Sequence, residues 1–287
     1  DVCREDISAH LLPFIGTNCR STEPFRRDAS MLALGALVDG VGDTNLTTMV
    51  KDGHTIVLEL AKDSSPRVRD SSLWVLGKMY ERHPGFSSDV NTTIQSLAIA
   101  YEGLKDVPRV ATNACWTFYF IIKAMYDVAS ANSGERPNTL FISNRYENII
   151  SAVYTTIKRD DAGSTSLRAA AFELLDKLIE CHPLDTHTII TSNLSYVLHE
   201  CSLLFTAINT PISPSHMTEL AQYQSLYCIV LQNYFKVLEL HEIAHLAEPL
   251  IQSLVNYLKL TRISTVQEDV LLTFGVLIQF CFFSFSI

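Results

Sequence analysis

The stretch Pro66-Arg67-Val68-Arg69-Asp70-Ser71-Ser72-Leu73-Trp74-Val75-Leu76-Gly77 returns, at a spacing of 42, as Pro108-Arg109-Val110-Ala111-Thr112-Asn113-Ala114-Cys115-Trp116-Thr117-Phe118. Counting back another 42 from Trp74 reaches Leu32, inside Arg26-Arg27-Asp28-Ala29-Ser30-Met31-Leu32-Ala33-Leu34-Gly35. A period near 42 with a helical apolar pattern marks stacked two-helix repeats of the HEAT or armadillo kind. The fold class it predicts is all-α: a right-handed α-solenoid of about six HEAT repeats, each an antiparallel helix pair.

Working outward, helix-period patterns run nearly end to end, and no strand-like alternation lasts. They divide into pairs at approximately 5–40, 44–83, 87–130, 140–182, 186–238 and 241–282, with an aberrant hydrophobic tail at 283–287. Second helices open on Pro24, on Ser65-Pro66, on Asp106 shortly before Pro108, and on Gly163-Ser164-Thr165 before Leu167. Stops stand at Asp39-Gly40, His83-Pro84-Gly85 and His182-Pro183. The step from Trp116 to Glu173 is 57, so about 15 residues are inserted, and Asp127 to Arg145 reads as the loop that holds them. A second irregular segment, Asn209 to Ser215, divides the fifth pair.

Aligning the second helices puts Arg27, Arg69, Arg168 and Gln267 at one position. Asp28, Asp70, Thr112, Ala169 and Glu268 take the next, and Leu32, Trp74, Trp116, Glu173 and Leu272 stand four residues further on. Residues four apart share a helix face, so Asp70 with Trp74 and Thr112 with Trp116 form one stripe, joined by Asn113. A Trp face beside a carboxylate holds a Lys or Arg by cation–π contact and ion pairing, worth about 1–2 kcal/mol when partly desolvated. The bland reading is packing between repeats for the indoles and helix-dipole stabilisation for Asp28 and Asp70. The shared register brings the two readings level, and the candidate binding residues are Trp74, Trp116, Asp70, Asn113 and Glu173.

Composition narrows the partner. The 287 residues are 47% hydrophobic, enough for a folded core. With 22 basic and 31 acidic residues the net charge is −9, which argues against nucleic acid or an anionic membrane and suits a basic protein partner. Seven scattered cysteines lack CxxC spacing, so neither zinc nor a disulfide framework is expected, and a reducing compartment is. Asn45, Asn91 and Asn193 then begin chance sequons. His241 and His245 are spaced i, i+4 without a third ligand, and Asp160-Asp161 reads as a turn or helix start. No phosphate-cradling loop, GxSxG elbow or HExxH helix is present, so neither an enzyme nor a cofactor is expected. Val270 to Ile287 is uncharged over 18 residues, the lower limit for a membrane span. Glu268 to Gly275 repeats the spacing of Asp70 to Gly77, so a buried repeat helix over roughly 265–279 is preferred to a tail anchor.

Several of these segments, in order, resemble the middle of the importin-β (karyopherin-β) family of nuclear transport receptors. They include Arg27-Asp28-Ala29, Lys62-Asp63-Ser64, Val68-Arg69-Asp70 with Trp74 and Gly77, Pro108-Arg109-Val110-Ala111 with Asn113-Ala114-Cys115-Trp116, Leu167-Arg168 with Phe172-Glu173, Leu231-Gln232-Asn233 and Val266-Gln267-Glu268-Asp269. The resemblance implies a superhelix whose second helices line a concave face holding the basic helical arm of an importin-α-type adaptor, or basic cargo. Trp74 and Trp116 match the family's arm-stacking tryptophans. It further implies release by the small GTPase Ran, contact with nucleoporins, and shuttling between cytoplasm and nucleus through the pore. The rival expectation is a general HEAT scaffold of a cytosolic assembly in which the indoles only pack. The chain opens on Asp1, just after the position of the family's acidic loop and without the repeats that carry the main Ran contacts. It therefore reads as a partial binding surface.

Overall fold

The computed structural model describes residues 4–40, 43–206, 214–243, 246–261 and 263–283. Among them there is no strand. The helices are α1 (Arg4–Asn18), α2 (Pro24–Gly40), α3 (Asp43–Leu60), α4 (Pro66–Arg82), α5 (Val90–Gly103), α6 (Pro108–Ser133), α7 (Tyr146–Ile157) and α8 (Leu167–Glu180). They continue as α9 (His187–Thr206), α10 (Pro214–Val237), α11 (Leu240–Ile243), α12 (Ala247–Leu260) and α13 (Ser264–Phe283). The chain forms two compact units, Asp1–Leu184 and Asp185–Ile287.

The first unit contains four helix pairs. Three second helices, α2, α4 and α6, begin on a proline, whose fixed φ suits the first helical turn and whose missing N–H is unneeded there. Helix α4 shows the packing rule. Val68, Leu73, Val75, Leu76, Met79 and Tyr80 are buried, and each aliphatic side chain removed from water contributes about 1.5–3 kcal/mol. Second helices pack side by side, α2 on α4, α4 on α6 and α6 on α8.

In the first two pairs the arginine at the shared register position fastens its pair to the next. Arg27 donates from Nε and Nη2 to Asp63 at 2.6 and 2.8 Å, and Arg69 to Asp106 at 2.5 and 2.7 Å. Both also reach six residues back, to the carbonyls of Ser21 and Asp63 respectively, closing the turn between the two helices of a pair. Burial alone would raise Asp106, but Arg69 and the Val107 N–H outweigh it and hold the carboxyl below its ordinary range. The Arg27 guanidinium does the same to Asp63. Gln267 repeats the reach of six to Thr261. Arg168 reaches eleven back, to Ile157, because the 3-10 turn Asp160–Ser164 lengthens that connection. The third pair has Ala111 at this position, and its turn is reached instead from the fourth pair, where Arg159 donates to the neighbouring Leu104 carbonyl.

Two details depart from expectation. Helix α6 continues to Ser133 and ends on Gly134 in the left-handed region (φ 71°), so the inserted loop is shorter than 127–145. Helix α13 is not buried all round. Val270 and Leu277 are inside, whereas Leu271, Leu272 and Ile278 are exposed. Among the described residues no helix is long and apolar enough to cross a membrane. The tail at 284–287 lies outside the described residues.

The second unit holds α9 to α13, with Phe205 stacked on Tyr257 at 4.0 Å. Thr273 donates to the Cys228 carbonyl of α10 at 3.3 Å, as Thr117 donates to the Leu73 carbonyl of α4 at 2.7 Å. Both threonines follow the Trp74/Trp116 register position by one, so the register extends into this unit.

Candidate functional site

Trp74 and Trp116 both lie on the second-helix face of the first unit and are half-buried. Between them α4 and α6 leave a groove of about 220 Å³. Its walls are Trp74, Lys78 and Glu81 from one helix and Asn113, Trp116 and Phe120 from the other. Gly77 and Thr117 lie between the walls, where the Thr117 hydroxyl bond draws the helices together.

The indoles are positioned differently. Trp74 lies over Gly35 of α2, and a Cβ on Gly35 would stand 2.1 Å from its Cζ3 atom. One edge of the ring thus packs on the previous repeat while another lines the groove. Trp116 is flanked by aromatic neighbours, with Tyr119 at 5.6 Å edge-on and Phe120 at 6.4 Å. Lys177 of α8 sits 4.9 Å over Tyr119 and pairs with Glu180, continuing the stripe toward the fourth repeat.

The candidate polar residues fall into three situations. Asp70 is buried and turned toward α6: Arg109 Nε lies 2.5 Å from Oδ2, and Asn113 Nδ2 donates to Oδ1 at 2.7 Å. Its carboxylate is thus engaged by the next repeat. Asn113 bridges the two roles, holding Asp70 while lining the groove. Glu173 is exposed on α8, away from the groove walls.

Sequence reasoning missed Lys78, Glu81, Tyr119 and Phe120. The signal was available, since Lys78 and Glu81 stand four and seven residues beyond Trp74 and Phe120 four beyond Trp116. The Lys78 ammonium lies 2.8 Å from Glu81 and 3.7 Å from Asp39 of α2. The hydrogen bond to Glu81, with Asp39 behind it, holds Lys78 above the ordinary lysine value and therefore charged.

Elsewhere, Asp161 takes the fork of Arg159 at 2.8 Å, a turn contact. His241 is exposed beside Glu239, and His245 lies outside the described residues. Among the described residues no group of His, Cys, Asp or Glu is placed to hold a metal. Cys19, Cys115, Cys181, Cys201 and Cys228 are free and buried, and burial pushes the Cys115 and Cys181 thiols up to about 12.

Paired helices and arginine staples, with an open aromatic groove on the second-helix row, define a helical-repeat protein of the HEAT class. The HEAT repeat family matches residues 55–83, and the family "Importin subunit beta-1-like, TPR repeats" matches residues 94–286. The chain belongs to the importin-β family. It is 27% identical to importin subunit beta-1 of Arabidopsis thaliana over 236 residues, covering 79% of this chain and 26% of that protein. To importin subunit beta-1 of Schizosaccharomyces pombe it is 23% identical over 275 residues, covering 94% and 30%. A crystal structure of importin beta from a polyethylene glycol condition superposes with a TM-score of 0.83 at 24% identity, over 93% of this chain and 31% of that one. Yeast importin-beta (Kap95p) superposes with a TM-score of 0.81 at 20% identity, over 96% and 31%. The chain thus spans less than a third of the length of these relatives.

Proposed function

We propose that this chain is a segment of a nuclear import receptor, non-enzymatic, that seats a basic helix of an importin-α-type adaptor or of basic cargo across α4 and α6. The observation that carries the reading is the groove itself. Two indoles from consecutive repeats face one slot that is open, partly apolar and edged by Glu81. The methylene stems of Arg or Lys would lie on the rings, and their charged heads would meet carboxylates. The net charge of −9 favours such a partner at long range. A solved relative, Kap95p, was captured with RanGDP and with Nup1. We extend the proposal to Ran and a nucleoporin as partners of the longer protein, and to its shuttling between cytoplasm and nucleus.

One observation favours the second reading, a scaffold whose indoles only pack: Trp74 rests on Gly35 of the previous repeat. Titration calorimetry with an amphipathic Arg/Lys/Leu helical peptide decides between them. Losing one aromatic anchor costs about 1–3 kcal/mol of binding, so Trp74→Ala or Trp116→Ala should weaken affinity roughly 5- to 100-fold. Trp74→Phe, which keeps a ring over Gly35, separates lost binding from lost packing. Equal affinities for wild type and both alanine variants, with helicity retained, would leave the scaffold.

A further inference from the structure

Trp74 has a cation of its own chain on either side along the α4 stripe. One turn before it, Asp70 is held by Arg109; one turn after it, Lys78 is held between Glu81 and Asp39. The carboxylates that would attract a partner's basic side chains are therefore already paired. Arg109 is held less firmly than the structural arginines, and Lys78 is held by single contacts to two separate carboxylates. The Arg109 side chain is 80% exposed and meets Asp70 through Nε alone, whereas Arg69 is 20% exposed and makes a two-pronged contact plus bonds to two turn carbonyls. Lys78 forms part of the groove wall, so any cation entering the slot between the indoles meets it.

We propose that Lys78 and Arg109 are resident stand-ins for the partner's basic side chains. They occupy the anionic positions flanking Trp74 in the free chain and leave them when a basic helix enters. This rests on the reading of the groove as the seat of a basic helix. Exchange follows from the electrostatics. Asp70 is buried, and burying a carboxylate without a counter-charge is costly, so the free chain keeps Arg109 beside it; Glu81, at the exposed rim of the groove, takes Lys78 as its partner. Swapping one ion pair for another leaves the Coulomb terms nearly balanced, and the indole contact then decides the outcome. The two residues thus act as a threshold: a lone weak cation gains little by displacing them, while a helix presenting several anchors to both rings does. Phe120, also on the wall, offers no charge and is untouched by the exchange.

The test is titration calorimetry of the whole chain with the same Arg/Lys/Leu helical peptide. Lys78→Gln and Arg109→Gln should each tighten binding about 3- to 10-fold, as expected for removal of a competing cation beside a binding carboxylate. Lys105→Gln makes the same change in net charge just beyond α5, in the first-helix row, and should stay within about 2-fold of wild type. Lys78→Arg, which keeps the stand-in, should also match wild type. Arg109 is itself exposed, and in Arg109→Gln Asn113 still donates to Asp70, so that variant gives a second, independent report if Lys78→Gln loses helicity. If Lys78→Gln and Arg109→Gln bind no tighter than Lys105→Gln while Trp74→Ala still weakens binding, the exchange is overturned and the groove reading stands. If Trp74→Ala leaves affinity unchanged, both fall together.

Discussion

Gly35 and Gly77 occupy equivalent positions in consecutive repeats, in the middle of α2 and α4, yet replacing each by alanine should have opposite effects. In both helices alanine should gain about 1 kcal/mol over glycine from backbone entropy. The difference is in space. At Gly77 a new Cβ would meet Thr117 at 3.4 Å and Phe120 at 3.5 Å, ordinary contact distances. At Gly35 it would lie 2.1, 2.7 and 2.8 Å from three carbons of the Trp74 indole, so the ring would have to retreat by about 1.3 Å to restore a 3.4 Å contact. Overpacking of this kind costs about 1–3 kcal/mol, which outweighs the helical gain. Gly77→Ala should therefore be neutral to about 1 kcal/mol stabilising, and Gly35→Ala destabilising by up to about 2 kcal/mol. Urea unfolding followed by circular dichroism and by tryptophan emission measures both, and the emission of Gly35→Ala should shift as Trp74 is displaced. If the two variants prove equally stable, or Gly35→Ala the more stable, the account of how Trp74 is seated is wrong.

Two further predictions concern the frame around the groove. Arg69→Ala removes a charged fork from half-buried Asp106 together with two turn bonds and should cost about 2–4 kcal/mol, whereas Arg67→Ala, mostly exposed over Asp28, should stay within about 0.5 kcal/mol; urea midpoints compare them. His54 is buried against Ser96 (Nε2 to Oγ, 2.9 Å) and edge-on to Phe86, and desolvation lowers it below its ordinary value of about 6.5, against a weaker opposing pull from Asp89. The unfolded chain protonates this residue first, so stability should fall as pH drops from about 6.5 toward the folded value. Asp63 and Asp106, both held low, should add a second loss below about pH 4. Urea midpoints across this range should show both phases in wild type and only the lower one in His54→Asn.

The repeat was legible because its determinants are local. Pro24, Pro66 and Pro108 start helices wherever they stand, and the apolar period identifies the buried side. Trp74 and Trp116 were legible as a pair for the same reason: register places them on one face whatever the rest of the chain does. The length of α6 was not, because Ala129 to Ser133 is a polar, loop-like run that still satisfies its backbone by continuing the helix until Gly134 can turn it. The division after Leu184 leaves no mark in the period either, since the Thr117 and Thr273 contacts repeat on both sides of it.

Asp70 shows where such reading runs out. Spacing along α4 places it one turn from Trp74, and along a single helix that is enough to suggest a joint site. In a stack of repeats, however, each second helix faces another built to the same plan, and the strongest claim on a side chain comes from the neighbouring repeat. Arg109 and Asn113 hold Asp70, Arg67 holds Asp28, and Gly35 leaves room for Trp74. None of these pairings is visible in the spacing of one helix; all of them are visible once two consecutive repeats are laid side by side. A charge beside an aromatic on a repeat helix should first be paired with the opposite charge, one turn along its own helix or one repeat on. Asp70 and Glu81 then appear as occupied positions, and the open question about a partner becomes which resident cation it must displace.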